Sequence, residues 1–129
     1  MKINGPLSCA VLLLLFWTPF EVQGIGDRDA RETHKIEALI QKIEALQDAK
    51  FVRNGSDYDS KTAAKFLRGK LKSHDKEIKT ANDFIEKAAS VSSTSGKPYV
   101  IRFKDGRKLN CGDYLKTELK NLEKKFDGR

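Results

Sequence analysis

Beyond the apolar run at the amino terminus, three side chains have metal-ligating or nucleophile–base chemistry: His34, His74 and Cys111. They stand 40 and 37 residues apart, with no C-x-x-C or H-x-x-x-H among them. Structural zinc is usually held by at least one short-spaced pair of ligands, so no metal and no cofactor is expected. Cys111 with His74 would make a nucleophile and its base only with a third group to orient the base, and none is identifiable. A lone cysteine more often packs as a small hydrophobe. Asp57 and Asp59 flank a turn, where capping accounts for both carboxylates. No Walker-type or Rossmann-type glycine pattern occurs. No catalytic residue is therefore expected, and the chain reads as a non-enzyme.

Charge is more informative. The 129 residues carry 25 Lys plus Arg against 18 Asp plus Glu, a net charge of +7. Lys61, Lys65, Arg68, Lys72, Lys76 and Lys79 recur every three or four residues, placing six cations on one helix face. Such a stripe attracts polyanions and weakens as salt rises. It also suits a solvated helix surface that keeps a domain soluble. Nucleic acid is not expected, because Phe66 and Phe84 read as core residues rather than base-stacking platforms.

The elements that must position these residues follow from periodicity. Ile36, Leu39, Ile40, Ile43 and Leu46 predict an amphipathic helix over Arg28–Lys50, with His34 on its polar face. Phe51-Val52-Arg53-Asn54-Gly55 reads as a short extended piece closed by a tight turn; its overlap with the sequon Asn54-Gly55-Ser56 reads as chance. Ser60 or Asp59 caps a second helix running to about Ile78, with Ala63, Leu67, Leu71, His74 and Ile78 as its apolar stripe and Gly69 as a point of weakness. Thr80 caps a short third helix containing Phe84, Ile85, Ala88 and Ala89, and the serine-rich Ser90–Gly96 ends it. Tyr99–Phe103, Asp105-Gly106 and Lys108–Cys111 predict a hairpin. Gly112-Asp113 then caps a last helix stacking Leu115, Leu119, Leu122 and Phe126. The fold class is α+β, mainly α, with about four helices around a small antiparallel β-hairpin.

The amino terminus reads as an export signal. Lys2 supplies a positive start, Leu7–Phe16 is apolar apart from Ser8, and Val22-Gln23-Gly24 carries small residues at the cleavage positions. The run Leu7–Phe20 is shorter than the ~20 residues that span a bilayer. Residues 1–24 are thus expected to be a signal peptide, cut near Gly24, and residues 25–129 one small domain, periplasmic or secreted. The removed piece holds one base and one acid, so the charge stays +7. Cys111 is then the sole cysteine, which excludes an internal disulfide.

Phe51-Val52-Arg53-Asn54-Gly55, Leu67-Arg68-Gly69-Lys70-Leu71, Thr80-Ala81-Asn82-Asp83-Phe84-Ile85, and Ala89–Ser93 leading into Gly96-Lys97-Pro98-Tyr99 resemble the YfeK-like family of small exported bacterial proteins. The resemblance implies an envelope location and brings no enzymatic activity. It transfers Arg53, Asn54, Arg68, Ser92, Ser93, Gly96 and Tyr99, where Asn54 and Gly96 serve turns and the arginines clamp carboxylates of this chain or of a partner. Some members carry His where Phe66 and Tyr58 stand here, so no metal or acid–base role at those positions transfers. Ser95-Gly96-Lys97-Pro98-Tyr99 also resembles the S-G-x-x-Y loop of periplasmic lysozyme inhibitors, which enters the enzyme's cleft. Those inhibitors are β-rich, and a +7 domain repels basic lysozymes.

Together these readings lead to an exported, non-catalytic binding module of the bacterial cell envelope. Its expected partner is an unknown envelope protein or an anionic envelope ligand, with at most peripheral membrane contact. The expected surface is Arg53, Asn54 and Arg68 with Ser92, Ser93, Ser95, Gly96, Lys97 and Tyr99. The alternative is a lysozyme or other hydrolase inhibitor that uses the Ser95–Tyr99 loop.

Overall fold

The computed structural model describes residues 28–128; the signal-peptide reading of residues 1–24 lies outside them. Helix α1, Ala30–Glu44, starts where the Asp29 carboxylate accepts the Arg31 N–H at 2.8 Å. Its stripe Ile36, Leu39, Ile40 and Ile43 is fully buried. The helix stops at Glu44, short of the expected Lys50. Turn hydrogen bonds from Leu46 to Ile43 and from Ala49 to Leu46 reverse the chain, because Lys50–Arg53 is needed as a strand.

Strands β1, Lys50–Arg53, and β2, Ser56–Tyr58, form a hairpin in which Phe51 faces Tyr58. Asn54 and Gly55 sit at φ 52° and 82°, the two left-handed residues that a tight two-residue hairpin turn demands. Strands β3, Val100–Arg102, and β4, Lys108–Asn110, make a second hairpin, with Ile101 opposite Leu109. Its loop is longer than the Asp105-Gly106 pair suggests. The Gly106 N–H bonds Phe103 C=O at 2.9 Å and Gly106 takes φ 92°, so a turn is followed by a glycine bulge. Pairing of β1 with β3 joins both hairpins into one antiparallel sheet of order β2-β1-β3-β4. The single expected hairpin is thus half of the sheet.

Helix α2, Ser60–Ser73, is capped by Asp59, which accepts the Thr62 N–H at 2.7 Å. It passes through Gly69 unbroken and ends at His74 rather than Ile78. A turn follows, and Ile78 enters the core separately. The early ending divides the basic face. Lys61, Lys65 and Lys72 stay exposed on α2, while Lys76 and Lys79 lie beyond it.

Thr80 and Asp83 form a reciprocal capping box on helix α3, Ala81–Phe84, which runs into a π-helical turn, Ile85–Ala89. Burial pushes the Glu32 carboxyl up, but the Ala81 N–H it accepts at 2.7 Å, with Lys35, holds it below its ordinary value. That bond ties α1 to the start of α3. Helix α4, Cys111–Asp127, begins at Cys111, so this residue opens a helix instead of closing a strand. Gly112 lies inside the first turn against Ser90, and capping by Gly112-Asp113 is corrected accordingly. Leu115 and Leu119 are buried, Leu122 is partly so, and Phe126 stays at the surface against His34, ring centres 6.2 Å apart.

Phe51 and Ile101, buried neighbours on one sheet face, join the helical stripes in a single core. The opposite face carries Lys50, Val52, Asp57, Val100 and Arg102, exposed or half-buried, with Arg102 bonded to Asp57. No helix among the described residues is long and apolar enough to cross a membrane.

Candidate functional site

Period-two alternation puts Arg53 on the same face of β1 as Phe51, turned toward α2. On α2, Ala63, Phe66, Leu67 and Lys70 share the helix face that meets the first hairpin, at three- and four-residue spacing. Between these elements lies an apolar cleft of about 100 Å³. Its walls are Phe51, Tyr58, Ala63, Phe66 and Leu67, with Tyr99 and Cys111 from the carboxy-terminal half.

Four side chains stack at this cleft. The Arg53 guanidinium lies 4.4 Å from the centre of the Phe66 ring. Phe66 meets Tyr99 edge to face at 5.7 Å. Lys70 Nζ lies 5.8 Å from the Phe66 centre and 5.6 Å from that of Tyr99, and donates to the Tyr99 hydroxyl at 3.3 Å. Lys70 is only 8 % exposed, which is costly for an ammonium with a single neutral acceptor. Arg53 Nε is buried and has no hydrogen-bond partner. Among the described residues no carboxylate comes within ion-pair distance of either cation. Cation–π attraction offsets part of the desolvation but leaves the Arg53 Nε–H unpaired.

The expected loop packs beside this stack and is held by the first hairpin's turn. Asn54 Nδ2 donates to Ser92 Oγ at 3.3 Å, and Ser95 Oγ donates to Asn54 Oδ1 at 2.5 Å. Ser92, 1 % exposed, also accepts the Thr94 and Ser95 N–H groups at 3.4 Å. Gly96 takes φ 71°, and its N–H reaches Ser92 C=O at 2.8 Å. Asn54, Ser92 and Ser95 therefore brace the loop. Ser93, Gly96 and Lys97 are exposed, whereas Tyr99 is buried.

Arg68 stands elsewhere. Its Nη2 bonds Glu37 at 2.6 Å and Glu44 at 3.3 Å on α1, so its clamp is internal. The structure brings Arg53, Asn54, Ser92, Ser95 and Tyr99 together and separates Arg68 from them. Cys111 and His74 make no pair: His74 Nδ1 faces Glu77 at 3.5 Å, and burial pushes the Cys111 thiol up to about 12. A thiol so placed is protonated at neutral pH.

Sequence reasoning passed over Lys70 and Phe66 as site residues. Lys70 falls three residues after Leu67 and seven after Ala63, which places a cation on the buried stripe. That misplaced charge was the available signal.

The chain is a member of the family of unknown function DUF5329, matched over residues 30–123. It is 38% identical over 93 residues to the uncharacterized protein YfeK of Salmonella typhimurium, covering 72% of this chain and 74% of that protein. No solved structure matches.

Proposed function

We propose that this protein is an exported, non-catalytic binding module of the cell envelope that captures an anionic ligand at the cleft between the first hairpin and α2. The observation that carries this reading is the half-buried Arg53, whose buried Nε lacks a partner, with the buried Lys70 nearby, the two flanking Phe66 and Tyr99 without a carboxylate among the described residues. Buried polar groups ordinarily find partners, so the open Arg53 Nε–H beside the cleft favours a ligand that supplies the acceptor, and Lys70 adds positive charge close by. The amino-terminal apolar run supports export. The inhibitor reading gains less from the geometry, because Tyr99 is turned inward and Ser95 is engaged by Asn54.

The test has two arms. Osmotic-shock fractionation is expected to release a form beginning near Ile25; an intact precursor retained in the cytoplasm overturns the location. Fractionated envelope extract is then added to the purified protein in a thermal-shift assay, alongside Arg53→Gln and Lys70→Met. A ligand at a hundred times its Kd stabilises by about 2.7 kcal/mol. At least one fraction is expected to stabilise the parent, Lys70→Met less and Arg53→Gln least, and a uniform response ends the reading.

A further inference from the structure

The form of the cleft narrows the ligand class. Its walls, Phe51, Leu67 and Cys111 among them, are apolar, and Arg53 is the charged residue in the lining. A guanidinium presents a planar fork that matches one carboxylate in bidentate fashion. A phosphate dianion needs more donors than this wall supplies, since Lys70 stands outside the lining and is turned to the Tyr99 hydroxyl. The space is also small. A dry cavity of ~150 Å³ holds one benzene ring, and this cleft measures about 100 Å³. A body of about one ring, or a short branched chain, fits when part of it stays at the mouth, whereas a long acyl chain does not.

We propose that the cleft binds a compact apolar monocarboxylate, its carboxylate on Arg53 and its body against Phe51, Leu67 and Cys111. This rests on reading the cleft as an anion site. The Arg53 guanidinium sits over the Phe66 ring, 4.4 Å from its centre, so its position is set before the ligand arrives.

The experiment titrates purified protein with phenylacetate, 3-methylbutanoate, phenylacetamide, dodecanoate and inorganic phosphate. Affinity is followed by calorimetry, and the Arg53 Nε–H resonance by NMR. One of the two compact acids is expected to bind at one per chain and to shift that resonance. The neutral amide, or the Arg53→Gln variant, is expected to bind at least about tenfold more weakly, since hydrogen bonds to charged groups are worth that much. Arg53→Lys is expected to fall between, keeping the charge without the fork. Equal binding of acid and amide overturns the proposal, as does tighter binding of dodecanoate than of either compact acid. Phosphate shifting the Arg53 resonance where neither acid does refutes the ligand class and leaves the anion site standing. If no anion moves that resonance, both fall together.

Discussion

Two glycines in helices make one sharp test of the packing, because the same added methyl group should act in opposite directions. At Gly69, within α2, a Cβ would meet nothing within 4 Å. Gly69→Ala removes the backbone entropy cost of a helical glycine and is expected to stabilise by about 0.5–1 kcal/mol. At Gly112, in the first turn of α4, a Cβ would intrude on Ser90 Oγ and stand 3.1 Å from Ser90 Cβ. Ser90 cannot simply rotate away without loss, because its hydroxyl donates to the Ile85 carbonyl at 2.6 Å on the π-helical turn. Overpacking costs about 1–3 kcal/mol, so after the helix-propensity gain Gly112→Ala is expected to lose about 0.5–2 kcal/mol. One kcal/mol moves the midpoint of a domain this size by roughly 4–8 °C. Urea unfolding followed by far-ultraviolet circular dichroism measures both variants, and Ser90→Ala with Gly112→Ala should lose less than the sum of the single changes. A Gly112→Ala protein as stable as the parent would refute the close approach of α4 to Ser90.

Other outcomes follow from named contacts. Asn54→Gly keeps the left-handed turn and loses only the bridges to Ser92 and Ser95, so it should destabilise by about 1 kcal/mol; Asn54→Ala adds backbone strain and should lose about 1–2 kcal/mol more. Denaturant midpoints compare the two. Lys70→Met replaces a buried ammonium by an apolar chain of similar shape and is expected to raise stability by about 1 kcal/mol while weakening anion binding, which thermal melts with and without ligand separate. Below about pH 9 the Cys111 thiol is protonated in both folded and unfolded chains and affects neither preferentially. Between there and about 12 the unfolded chain releases the proton first, so stability falls by up to ~1.4 kcal/mol per pH unit. Cys111→Ala should abolish that component, visible as a parent-minus-variant difference that declines across this window. A difference flat in pH would contradict the burial.

Much of the architecture was legible in the residues because period and capping agree. The buried stripe of α1, the Asp59 and Thr80 caps and the Asn54-Gly55 turn all stand where their chemistry places them. Helix ends were harder. Leu46 and Ile78 continue the apolar periodicity of α1 and α2, yet each enters or borders the core from a turn, since a helix and a reversed chain can bury the same residue. Strand β2, Ser56–Tyr58, carries no apolar alternation, as an exposed edge has no second face to fill. In the site, Asn54 and the serines announced a turn and a polar loop without disclosing that they bond each other. Arg68 illustrates the converse: its partners Glu37 and Glu44 lie on another helix, and sequence spacing carries no sign of that.

Each hairpin closes between near neighbours in the chain, but the seam between β1 and β3 joins Lys50 to Arg102 across both middle helices. Ring closure over so long a segment is entropically slow compared with forming either hairpin. The cleft borrows Phe51 and Tyr58 from one side of that seam and Tyr99 and Cys111 from the other. A nascent or partly opened chain therefore has no cavity to fill, and occupancy would act as a clasp, reporting that the last and longest-range pairing is in place.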